Sequence, residues 1–354
     1  MATDIKTRVR ELQSNIRVEI PDLYALLPGW RFTVNMYYDR LKTKVDDSTA
    51  ILQLDDAKMQ AILSQNLDQI GACFYPDANE EEHFVGALYH IGIFVWDDQL
   101  DCGDLKADVS QAEQLRNETV ACLVYALGNK LSQGSRPSFN PIVSYLCDAF
   151  EKIGASTNED ARIHILGTTL NYVHAACALP MQRTEKLDRL LSEAEFMEQR
   201  KISGGTAVSI ALLLYIYHLD IPLSILQHEA MQVITEQSCL IVHLANDVVS
   251  FVRELRLGQV DSFVVILALQ HDISLQQAVG RACALIVAAR EQFEQAATRL
   301  PLPTGNQKLD EDIRKYVQGC RDVASGSIHW SYLTERYFGK NPERDVWTTN
   351  TVYG

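Results

Sequence analysis

Apolar residues return every three to four positions along most of this chain, the spacing that gives a helix one buried face. The pattern runs over 59–71, 83–96, 111–131, 140–153, 160–178, 193–200, 206–218, 223–256, 260–270, 275–298 and 308–337. Sustained two-residue alternation is almost absent, so strands are not expected. Turn chemistry predicts breaks at Tyr75–Asn79, Gly134–Pro137, Leu179-Pro180 and Pro301–Gly305. The polar tail from Lys340 reads as loose when no ligand is bound. No repeat or linker divides the chain. The expectation is all-α: one domain over 1–354 of about ten helices.

Composition narrows the function. The 354 residues carry a formal net charge of −14, which repels nucleic acid and anionic membrane at long range. An anionic ligand therefore needs a local cluster of cations. The N-terminus lacks the apolar core of a secretory signal. The eight cysteines form no C-x-x-C pair and most lie in apolar runs. They read as reduced thiols of a cytoplasmic protein. Residues 202–219 are uncharged for 18 positions, but the Gly204-Gly205 pair and several polar side chains favour a buried helix over a membrane span.

Two motifs carry chemistry. The apolar run 89–96 ends in Asp97-Asp98-Gln99-Leu100-Asp101. Asp97 and Asp101 share a helix face and Asp98 flanks them. Carboxylates this close repel unless a cation neutralises them, and an all-oxygen set suits a hard ion such as Mg²⁺. A solvated acidic helix end is the competing reading. The second motif is Asn246-Asp247-Val248-Val249-Ser250-Phe251-Val252-Arg253-Glu254. Asn246, Ser250 and Glu254 are four apart and form one row of oxygen donors on a helix. A polar surface stripe is the alternative. Against it, the same row continues into Val242 and Cys239, as on a helix lining an apolar cavity with a polar mouth.

D-D-x-x-D followed about 150 residues later by N-D-x-x-S-x-x-[KR]-E resembles the class I terpene synthases. With the segment from Ile20-Pro21-Asp22-Leu23 to Leu27-Pro28-Gly29-Trp30-Arg31, the chain looks like the fungal cyclases over roughly 18–340. The resemblance implies a helical bundle around a central apolar cavity. It implies three Mg²⁺ ions (Mn²⁺ a possible substitute) held by Asp97, Asn246, Ser250 and Glu254. Asp98 and Asp101 are further ligands or partners of arginines after closure. Arg200 matches the diphosphate-sensing arginine, Ser203 the linker and Gly204 the effector of the ionisation trigger. Ser203 stands where the family often has Asp. A glycine at 204 allows a helix break with its carbonyl turned towards substrate. Arg253, Arg336 and Tyr337 are the expected diphosphate donors. Phe94 and Trp330 are the first candidates to stabilise a carbocation through their rings, with Phe74 a third candidate that reads better as core. His90 and His243 receive no role, and the final proton goes to diphosphate or water.

The implied reaction is cyclisation of a linear isoprenyl diphosphate, with farnesyl preferred over geranylgeranyl diphosphate by a monomer or homodimer. A chain-elongating prenyl synthase would need a second Asp-rich motif, which the N-S-E row replaces. Class II cyclisation would need D-x-D-D, and Gln53-Leu54-Asp55-Asp56 lacks the first Asp. A non-catalytic helical binding protein is the rival of a different class.

Overall fold

The computed structural model describes residues 2–14, 16–101, 108–128, 135–185, 191–256, 262–338 and 351–353, with the backbone alone for 2–6, 101, 179–185, 338 and 351–353. Helices dominate, and they begin where local chemistry caps them. Ser192 and Glu195 form a reciprocal capping box ahead of Glu193–Ser203, and Ser274 and Gln277 do the same ahead of Leu275–Ala297. Asn140 caps Pro141–Ser156, whose first residue is a proline that has no N–H to leave unpaired.

The core is continuous across the bundle. Glu229–Arg256 packs on Leu275–Ala297 and Gln307–Leu333, and Glu80–Asp101 packs on Pro141–Ser156 and Asp68–Phe74. Trp96 is fully buried, and its indole N–H donates to Thr119 Oγ1 at 2.9 Å, so burial leaves no unmet donor. Gly326 lies so close to the Cys73 carbonyl that a Cβ would meet it at 2.3 Å. This glycine lets Gln307–Leu333 approach Asp68–Phe74 closely, and farther along the same helix Trp330 meets Phe94.

Several expectations change. The 59–71 periodicity divides into Asp56–Ser64 and Asp68–Phe74 around Asn66, which takes a left-handed φ of 49°. Leu179-Pro180 does not end its helix, because Glu159–Glu185 runs through it. A proline removes one internal hydrogen bond, which a long helix absorbs as a kink. The N-terminal Ala2–Ser14 helix and Tyr38–Ser48 lay outside the periodic segments. Residues 339–350 of the tail lie outside the described residues, but Thr351–Tyr353 pairs antiparallel with Arg17–Glu19, the one two-stranded ribbon among the described residues. Among the described residues no helix is long and apolar enough to cross a membrane. Residues 202–219 break instead into Thr206–Ala211 and Leu213–Ile216. The seven described cysteines are free, and Cys102 lies outside the described residues.

Candidate active site

A cavity of about 220 Å³ opens where the two motif helices end. Glu80–Asp101 contributes one wall. Along it His90, Ile93, Phe94 and Asp97 recur at helical spacing and all line the cavity. Glu229–Arg256 contributes the facing wall with Val242, His243, Asn246, Ser250, Arg253 and Glu254. Gln307–Leu333 adds Ser327, Trp330 and Ser331, and the short helix Glu335–Phe338 adds Arg336 and Tyr337.

The second motif has the donor chemistry of a hard-cation site. Ser250 is buried, and neither Ser250 Oγ nor Glu254 Oε2 has a hydrogen-bond partner. Unsatisfied buried oxygens are costly, and two in one row point to a ligand. Burial, and next Asp247, push the Glu254 carboxyl up to about 7. The nearby Ser250 hydroxyl pulls the other way, short of a well-formed hydrogen bond. No three His, Cys, Asp or Glu side chains converge among the described residues. The row instead combines an amide, a hydroxyl and a carboxylate, an oxygen set that fits Mg²⁺.

Asp97 faces this row from the first motif. Tyr172 donates from its hydroxyl to Asp97 Oδ1 at 2.9 Å. Asp98 sits 3.6 Å from Arg336 Nη2, the arginine partner that was one of its two expected roles. Asp101 closes its helix, and its side chain lies outside those described.

The cations gather at the same mouth. Arg200 donates through Nη2 to Asn246 Oδ1 at 3.0 Å and to Asp247 Oδ1 at 3.1 Å. Asp247 also accepts from the Phe263 N–H at 3.1 Å, so the buried Asp of the motif anchors the arginine. Asn246 Nδ2 donates to the Tyr337 hydroxyl at 2.8 Å. Arg336 lies over the Phe94 ring, 5.7 Å from its centroid, and donates to Gln65. The terminal Arg-Tyr pair thus touches both motifs, one through Asp98 and the other through Asn246.

Behind Arg200 the helix breaks. Gly204 closes Glu193–Ser203, and Gly205 turns at φ 69° into Thr206–Ala211. Only glycine takes that conformation without strain. A Cβ at 204 would meet His243 Nε2 at 2.0 Å, so the imidazole occupies the place of a side chain. His243 Nε2 is also 3.1 Å from Thr206 Oγ1. Ser203 donates back to the Gln199 carbonyl at 3.0 Å, an in-helix bond.

The walls also carry aromatic rings. Phe94 and Trp330 meet edge to face at 6.0 Å, and Trp330 and Tyr337 at 5.7 Å. Trp330 donates to the Asn66 carbonyl at 3.0 Å, which fixes its ring. Phe74, judged more suited to core, also lines the cavity. The positioning contacts of Tyr172, Asp247 and His243 were missed. Asp247 alone carried a signal, its place inside the second motif.

A helical bundle whose mouth sets an oxygen-donor row and a carboxylate against arginines has the chemistry of a metal-assisted site for a phosphorylated ligand. Comparison with known proteins gives its family. Residues 89–292 match the family model described as terpene synthase family 2, C-terminal metal binding. The chain belongs to that family and is a fungal-type class I terpene synthase, a lyase. It is 29% identical over 344 residues to terpene cyclase braA of Annulohypoxylon truncatum, covering 94% of this chain and 88% of that one. Sesquiterpene cyclase hepA of Aspergillus oryzae is 26% identical over 328 residues, covering 90% and 88%. The fold matches α-eudesmol synthase with a TM-score of 0.75 at 17% identity, covering 86% of this chain and 97% of that one.

Proposed function

We propose that this enzyme ionises farnesyl diphosphate with the help of Mg²⁺ and closes the resulting cation into a cyclic sesquiterpene. The observation that carries this reading is the buried Ser250–Glu254 pair of unsatisfied oxygens, set in a mouth that also holds Asp97 and three arginines. The fifteen-carbon substrate is supported by relatives named as sesquiterpene cyclase and sesquiterpene synthases.

Asn246, Ser250 and Glu254 would hold metal on one wall and Asp97 on the other. Bound there, Mg²⁺ supplies Lewis-acid stabilisation to the departing diphosphate. Arg200 is already held at the cavity wall by Asp247, so substrate meets a fixed donor. Arg253, Arg336 and the Tyr337 hydroxyl add donors around the leaving group. Tyr172 fixes the carboxylate of Asp97. The contacts from Arg336 to Asp98 and from Asn246 to Tyr337 hold the terminal helix beside the mouth, where it would help exclude water once substrate is bound. The rings of Phe94, Trp330 and Phe74 face the space where positive charge migrates.

Purified protein offered geranyl, farnesyl and geranylgeranyl diphosphate with Mg²⁺, followed by GC–MS of the extract, tests the chain length. A cyclic product from farnesyl diphosphate is expected. A product from geranylgeranyl diphosphate alone would move the reading to a diterpene cyclase, and longer diphosphates on adding isopentenyl diphosphate would replace it with chain elongation.

A further inference from the structure

The cavity wall carries a polar pair, His90 with Ser209, that ionisation does not use. His90 lies seven residues before Asp97 on the same helix, about 10 Å deeper at the usual rise per residue. Its Nδ1 is 2.8 Å from the Gly86 carbonyl oxygen. A carbonyl only accepts, so Nδ1 carries the proton and Nε2 presents a lone pair. Ser209 Oγ lies 3.3 Å from that Nε2 and therefore donates to it. The Ser209 carbonyl in turn accepts from the Tyr75 hydroxyl at 2.8 Å, which fixes the segment beyond the helix break. Phe74 packs edge-on to the imidazole at 5.2 Å and Tyr89 at 5.0 Å. Both members of the pair line the cavity.

We propose that Ser209 and His90 together are the base that ends the reaction, taking a proton from carbon deep in the cavity rather than leaving it to diphosphate at the mouth. This rests on the cyclase reading above. The C–H bond beside the cationic carbon breaks, and its electron pair becomes the new double bond. The proton passes to Ser209 Oγ as the hydroxyl's own proton passes to His90 Nε2. The product is a neutral olefin and the imidazole is left cationic, donating to Gly86 and to Ser209. Burial holds His90 down at about 4, so it is neutral before each turnover and returns its proton to water when the site opens. A carbocation is acidic enough to protonate even so weak a base. The two helical turns between His90 and Asp97 set this base apart from the diphosphate site.

The test uses Ser209→Ala and His90→Asn, the second keeping a donor for the Gly86 carbonyl. Each is incubated with farnesyl diphosphate and Mg²⁺, and products are counted per diphosphate released. That ratio is unmoved by a loss of active protein. The expected result is a fall of about tenfold or more in the share of the wild-type olefin, set below the roughly 10²–10⁴-fold of a general base because other acceptors can take the proton. Other double-bond isomers or water-captured alcohols would replace it. Unchanged product proportions in both variants would overturn the proposal, as would a wild-type product consisting only of alcohol. If His90→Asn does not fold, Ser209→Ala decides alone. Absence of diphosphate release by folded wild-type protein would instead sink the cyclase reading, and this inference with it.

Discussion

Replacing Gly204 with alanine isolates one contact in the helix break. The backbone itself would welcome the change: φ is −80° and ψ −6° there, where alanine loses less chain entropy than glycine. That effect alone would stabilise by about 0.4–1 kcal/mol. The new methyl would lie 2.0 Å from His243 Nε2 and 2.4 Å from Cε1, well inside contact distance. His243 is buried and hydrogen-bonded to Thr206, so the ring must shift against packed neighbours. Overpacking of this kind costs roughly 1–3 kcal/mol, and loss of the Thr206 bond about 1 kcal/mol more. The net expectation is about 1–3 kcal/mol of destabilisation, a fall in Tm of a few degrees. Turnover should fall as well, because Arg200 sits one turn before the displaced glycine. The assay is thermal unfolding of Gly204→Ala, His243→Ala and the double variant. The double variant should be more stable than the sum of the two single losses predicts, since deleting the ring removes the clash. Equal or higher stability for Gly204→Ala alone would refute the reasoning.

Other consequences can be checked separately. Tyr172→Phe removes the hydroxyl that holds Asp97, and the Mg²⁺ concentration for half-maximal turnover should rise roughly tenfold or more at little cost in Tm. Asp247→Asn weakens the anchor of Arg200, and diphosphate release should slow by about 10²-fold, comparable to loss of one preorganised donor. Burial lowers His83 and His90 to about 4, and burial with Arg200 lowers His243 to about 3. The folded protein then binds protons more weakly than the unfolded chain, so these groups contribute stability above pH 6.5 that is lost as pH falls towards 4. Urea unfolding at pH 7 and pH 5 should show that loss, and His83→Gln, outside the cavity, should reduce it.

Much of the fold and mouth was legible because helices with one apolar face advertise their period. The oxygen-bearing side chains of both motifs lie at helical spacing, so Asp97 and the Asn246–Ser250–Glu254 row could be placed on the cavity wall from the sequence pattern. Positions that depend on tertiary approach could not. Tyr172 is one aromatic among many until its hydroxyl meets Asp97. His243 gains its place only because Gly204 leaves room for it. The division at Asn66 needs one left-handed residue that periodicity does not encode. The ribbon joining Arg17–Glu19 to Thr351–Tyr353 unites chain ends whose three-residue strands are too short to show alternation. Pro180 misled in the other direction, since a local helix breaker was overruled by the long helix around it.

The most direct measurement is single-turnover reaction of excess enzyme with farnesyl diphosphate, counting diphosphate and organic product together, with Mg²⁺ and with EDTA. The account predicts equimolar diphosphate and cyclic product with the metal, neither with EDTA, and loss of both in Glu254→Gln. Release of diphosphate that ignores EDTA, or folded enzyme that leaves the substrate intact with Mg²⁺ present, would contradict it.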